Sequence, residues 1–83
     1  MYYVYILYSE KTNKYYKGQT ANLNNRIYRH NHLLVKSTRF GAPWILVASF
    51  KFDDRGSAMI LERKLKNLSV DKLKQFIEKY TNE

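Results

Sequence analysis

Five side chains in this sequence are of types that could do chemistry, Tyr5, Tyr16, Arg26, His30 and Glu62, and Gly18 stands where a ligand could approach them. An Arg presents a planar fork to phosphate oxygens, and a His gives or takes a proton near neutral pH. A Glu is a hard ligand, and a magnesium ion commonly takes one or two carboxylates, with water and substrate phosphate filling the rest of its shell. Each residue also has a plainer use. Tyrosines fill cores, an Arg and a His four apart on a helix can form a solvated edge, and Glu62 stands four residues before Lys66 at ion-pair spacing.

The elements that must position these residues follow from the pattern of apolar side chains. Tyr2 to Tyr8 is a β-branched and aromatic run, and Tyr15 to Gln19 is a second extended stretch; residues 9–14 between them have turn composition, which predicts a hairpin. If Tyr8 pairs with Tyr15, then Leu7 faces Tyr16 and Tyr5 faces Gly18. Tyr5 and Tyr16 then share a face, and Gly18 leaves a gap in front of the Tyr5 ring where a ligand could approach. Asn22 is a capping residue for a helix to Asn31, with Leu23, Ile27 and Leu34 as its buried stripe and with Arg26 and His30 flanking that stripe.

Residues 35–43 read as a loop and Trp44 to Phe52 as a third strand. Asp53, Asp54 and Ser57 offer caps for a helix with the stripe Ala58, Leu61, Leu65 and Leu68, on which Glu62 lies beside the apolar face. Ser69 restarts a last helix that buries Leu73, Phe76 and Ile77 and frays at Thr81, Asn82 and Glu83. The expected architecture is α+β, a small three-stranded antiparallel sheet with flanking helices in the order ββαβαα, as one domain over residues 1–83.

Composition narrows the functions. At 45% apolar and 16% aromatic, 83 residues can bury a modest core. The absence of cysteine removes disulfides, thiolate metal clusters and thiol nucleophiles, and fits a cytoplasmic protein. No apolar run reaches the ~18 residues of a membrane span, and Met1 opens directly into the first strand without a basic leader, so neither secretion nor membrane insertion is expected. Fifteen Lys and Arg against seven Asp and Glu give a net charge of +8. The imbalance belongs to the first half: residues 1–50 carry seven basic side chains against Glu10 alone, and residues 51–83 carry eight against six. A phosphate backbone is the expected partner of such a field.

In order and spacing these residues resemble the GIY-YIG endonuclease superfamily, in particular its small stand-alone members. Tyr3-Val4-Tyr5 stands at the first motif and Tyr16-Lys17-Gly18 at the second; Asn22-Leu23 with Arg26 and His30 resembles the helix signature, and Glu62 stands at the metal-binding position. Tyr3 replaces the first motif's Gly, Lys17 replaces the second motif's Ile, and Gln19 stands where some relatives carry Lys.

The resemblance implies a divalent-metal-dependent endonuclease that hydrolyses phosphodiesters in DNA, or in RNA, with low sequence specificity. Its catalytic residues would be Tyr5, Tyr16, Arg26, His30 and Glu62, with magnesium on Glu62 and with Lys17, Gly18 and Arg26 contacting substrate. Tyr5 or Tyr16 would orient or deprotonate the attacking water, Tyr5 being the favoured base. The competing readings are a basic nucleic-acid-binding module without turnover and a protein-interaction domain whose aromatic hairpin meets a partner.

Overall fold

The computed structural model describes residues 1–81. Two strands, β1 (Tyr2–Ser9) and β2 (Lys14–Thr20), are followed by helix α1 (Leu23–Asn31), a single 3-10 turn (Arg39–Gly41), strand β3 (Trp44–Phe52) and helices α2 (Arg55–Lys66) and α3 (Val70–Thr81). The ββαβαα order and the α+β class are those expected from the sequence. Thr81 still belongs to α3; the fraying expected of Asn82 and Glu83 falls outside the described residues.

The sheet runs β2-β1-β3, antiparallel throughout. Of the registers open to the hairpin, the one with Tyr8 opposite Tyr15 forms, which sets Leu7 opposite Tyr16 and Tyr5 opposite Gly18. As the central strand, β1 is covered on both faces, which is why its sequence is a continuous apolar run rather than an alternating one. Val4 and Ile6 pack with Ala48 against Ala58 and Leu65 of α2 and Leu73 of α3. Tyr5 and Leu7 point the other way, into a second cluster with Tyr16, Leu23, Ile27 and Trp44. Helix α1 therefore covers one face of the sheet, and α2 with α3 the other.

Local chemistry sets the helix ends. The Asn22 side chain accepts from Asn25 N–H, the Asp54 side chain from Ser57 N–H, and Ser69 Oγ from Lys72 N–H, so each helix starts on a polar cap. Helix α1 ends at Asn31 as expected, so Leu34, counted in its buried stripe, falls beyond it. Leu33 takes a φ of 63°, Leu33 N–H bonds to His30 C=O and Leu34 N–H to Arg29 C=O, a Schellman closure without the usual glycine. Leu34 is consequently past the helix and 58% exposed rather than buried. Leu68 likewise lies beyond α2, whose C-cap is Asn67, although it still packs against the core.

The end of α1 is fastened to the sheet by one amide. Asn31 Oδ1 accepts from Trp44 N–H at 2.5 Å, and Asn31 Nδ2 donates to Trp44 C=O at 3.1 Å. The side chain thus satisfies the edge backbone of β3 as a neighbouring strand would, and it fixes where Arg26 and His30 stand over the sheet.

Candidate active site

Pairing in the hairpin sets the first contacts. Tyr5 and Tyr16 lie on one face with ring centroids 6.2 Å apart. Opposite Tyr5, a Cβ on Gly18 would come within 2.6 Å of Tyr5 Oη and 2.8 Å of Cζ. The expected gap for a ligand is therefore filled by the Tyr5 phenol itself, which is fully buried. Glycine is needed at position 18 for that close approach, not for access.

His30 departs further from its expected place. The helical turn puts it at the flank of the apolar stripe, yet its side chain is fully buried. Its Nε2 lies 3.0 Å from Tyr5 Oη and its Nδ1 lies 2.7 Å from Thr38 Oγ1. Thr38 Oγ1 donates its own proton to Val35 C=O at 3.4 Å, so it accepts from His30 Nδ1–H. That assigns the lone pair to Nε2, which accepts from the Tyr5 hydroxyl. The flank became interior because the segment after α1 folds over it and brings Thr38, also buried, as a polar partner. Both ring nitrogens are satisfied, and among the described residues no buried side-chain polar atom lacks a partner.

The electrostatics follow from that enclosure. Burial, with the positive charges of Arg26 and Arg29, lowers the His30 pKa to about 4, so the imidazole is neutral at physiological pH. Burial also pushes the Tyr5 phenol well above its ordinary range; Tyr16 and Glu62 add to the rise, while the Arg26 guanidinium opposes it. Tyr5 is thus held as a phenol that donates to His30, the opposite of what a base requires. Tyr16 is different. Its half-buried ring packs 4.9 Å from His30 and 6.3 Å from Trp44, leaving part of it accessible. Half-buried Arg26 of α1 stands close enough for its positive charge to act on both Tyr5 and His30.

Glu62 and Lys17 are reached differently. Lys17 pairs with Ile6 and Gln19 with Val4, so by the pleat both side chains leave β2 on the face covered by α2 and α3, opposite to Tyr16. Gln19 Nε2 donates to Glu62 Oε1 at 3.3 Å, and Lys66 Nζ pairs with Glu62 Oε2 at 3.2 Å. The ion pair that the i, i+4 spacing allowed is therefore formed. Glu62 stands beside the edge strand β2, near enough to act on Tyr5 through space, but it makes no hydrogen bond to the Tyr5–His30 group.

As a ligand set this is sparse. Among the described residues no three His, Cys, Asp or Glu side chains gather to hold a metal. One carboxylate remains, and each Glu62 oxygen has engaged a single partner and keeps further lone-pair capacity, which fits a hard divalent ion that takes most of its shell from water and phosphate. Sequence reasoning missed Thr38 and the Gln19–Glu62 contact. Thr38 carries no periodic signal, since it sits in a loop; Gln19 was visible only as the residue where some relatives carry Lys.

The GIY-YIG catalytic domain family, a nuclease-type family, matches residues 1–75, and the chain belongs to it. A relative in Halalkalibacterium halodurans, UPF0213 protein BH0048, is 37% identical over 76 residues, covering 90% of this chain and 80% of the relative. The solution NMR structure of the UPF0213 protein BH0048 from Bacillus halodurans superposes with a TM-score of 0.65 at 34% identity, over 96% of this chain and 86% of that one.

Proposed function

We propose that this protein is a divalent-metal-dependent endonuclease acting on DNA, with RNA as the lesser alternative, and with low sequence specificity. The observation that carries this is the polar group buried on the α1 face of the sheet: Tyr5, His30 and Thr38 in one hydrogen-bonded series, with Tyr16 packed on it. Leu and Phe would fill that space without the desolvation cost of three polar side chains, so the arrangement is better explained by positioning than by packing.

In this reading the Tyr5–His30–Thr38 series is a support. It fixes the Tyr16 ring, whose hydroxyl orients the attacking water, and it holds α1 so that the Arg26 fork meets the charge developing on the phosphate. The base role expected of Tyr5 passes to Tyr16, since Tyr5 is buried, holds its proton and donates it to His30 Nε2. Glu62 would hold the ion, magnesium by chemical preference, with Gln19 orienting the carboxylate. Such an ion supplies polarisation of the scissile phosphate and stabilisation of the leaving oxyanion. Gly18 acts by admitting Tyr5, and Lys17 belongs to the basic field of the opposite face.

Replacement of Glu62 by Gln tests the reading. The Lys66 pair is mostly exposed on its Lys side, so its loss should cost at most about 1 kcal/mol of stability. Cleavage of nicked, branched, single-stranded or duplex substrates in magnesium should fall by orders of magnitude while salt-sensitive binding persists. The occupation of Glu62 by Lys66 supports a second reading, a binding module without turnover. Wild-type protein that binds nucleic acid but cleaves none of these substrates in any divalent metal would establish that reading instead.

A further inference from the structure

The segment between α1 and β3 carries features that the site above does not use. Leu33, Leu34 and Phe40 are 57%, 58% and 71% exposed. Lys36 and Arg39 stand among them, and the Arg39 guanidinium lies over the Phe40 ring, 5.1 Å from its centroid. From Lys11 to Phe52 the chain has eight Lys and Arg and no acidic residue, so the field around this apolar cluster is positive without local relief.

The segment is fixed, not loose. Trp44 Nε1 donates to Thr38 C=O at 2.8 Å, Ser9 Oγ donates to Gly41 C=O at 2.6 Å, and Thr38 Oγ1 is the partner of His30. Phe40 follows Thr38 by two residues, so their Cα atoms are separated by no more than ~7 Å. An exposed aromatic ring is thus held at short range from the buried Tyr5–His30 group, on the same rigid connection.

We propose that Phe40, backed by Arg39, is a stacking platform for an unpaired nucleobase, and that the site takes nucleic acid with single-stranded or splayed nucleotides in preference to intact duplex. In a duplex the base faces are hidden, and phosphates alone would satisfy Lys36 and Arg39 while leaving Phe40 without a partner. A single strand offers phosphates to the cations and a π-face to the ring, the combination that single-strand-binding surfaces use. The positive field selects a polyanion as the occupant over a second copy of this equally basic chain.

The proposal rests on the nucleic-acid reading but not on turnover, so binding alone tests it. The Glu62→Gln protein, in chelator and at fixed low salt, is titrated into a labelled single-stranded oligonucleotide and into a blunt duplex of equal length. Adding Phe40→Ala should weaken single-strand binding by about five- to a hundredfold and leave duplex binding within about twofold, while Phe40→Trp restores the single-strand affinity. Thermal melts by circular dichroism should be unchanged by either substitution, because the ring is mostly in solvent. Equal weakening on both substrates, no change on either, or a wild-type preference for duplex overturns the stacking role and leaves the nuclease reading standing. A change in sedimentation with Phe40→Ala at unaltered binding overturns it in favour of a contact between copies. Failure of the unsubstituted surface to bind either substrate removes both readings together.

Discussion

Gly18→Ala separates a glycine that admits Tyr5 from one that admits a ligand. The added methyl group would sit 2.6 Å from Tyr5 Oη, 2.8 Å from Tyr5 Cζ and 3.1 Å from Tyr16 Cε2. The Tyr5 ring cannot yield cheaply, since it is fully buried and its hydroxyl is bonded to His30. Two costs follow. Forcing a methyl into a packed site costs about 1–3 kcal/mol. Moving the phenol off His30 leaves a buried acceptor unpaired, for a further ~1–3 kcal/mol. The better strand propensity of Ala returns about 0.5–1 kcal/mol, so a net loss of roughly 1–5 kcal/mol is expected. A chain of this length has about 4–12 kcal/mol in all. Urea unfolding should show a lower midpoint at unchanged slope. In combination with Tyr5→Phe, which surrenders the same hydrogen bond, the losses should be less than additive by at least about 1 kcal/mol. Unchanged stability, within about 0.5 kcal/mol, together with lost nucleic-acid cleavage would show instead an open ligand site over Gly18.

The neutral His30 predicts a pH dependence. An unfolded His titrates near 6.5 and the folded one at about 4, so the unfolded chain binds more protons between these values; stability is complete above pH 6.5 and declines as pH falls towards 4, by on the order of 3 kcal/mol. Unfolding curves across that window should lose most of this slope in a His30→Gln variant; an equal slope in both proteins would refute it. Arg26→Ala should lower the cleavage rate more than Arg39→Ala, which should act chiefly on binding; equal effects on the rate would assign both to the general basic field. Leu33→Gly should raise stability by about 0.5–1 kcal/mol, because an L-residue held at a φ of 63° is strained and Leu33 is 57% exposed, so little burial is lost. A lower melting temperature would show instead that the Leu33 side chain contributes packing at the end of α1.

Much of the frame was legible in the sequence, because periodicity and turn chemistry are local. The hairpin, the Asn22 cap, the limits of β3 and the Leu73, Phe76 and Ile77 face all follow from spacing over a few residues, whereas the register of the hairpin and the choice of Asp54 among the candidate caps do not. What required the tertiary structure was the difference between a residue at the edge of a helix stripe and one in the interior. A helical wheel places His30 at a flank; only the return of the 32–43 segment, with Thr38 eight residues away in the chain, closes that flank and holds the imidazole neutral. The same holds for Tyr5 and Gly18, which one of the possible registers sets opposite each other but whose mutual filling depends on the depth of the ring. Residue types and order determined which side chains could act together. Burial, which no local pattern specifies, decided that Tyr5 is a buried donor and left Tyr16 only half-buried, because the cost of ionising a group depends on everything packed around it.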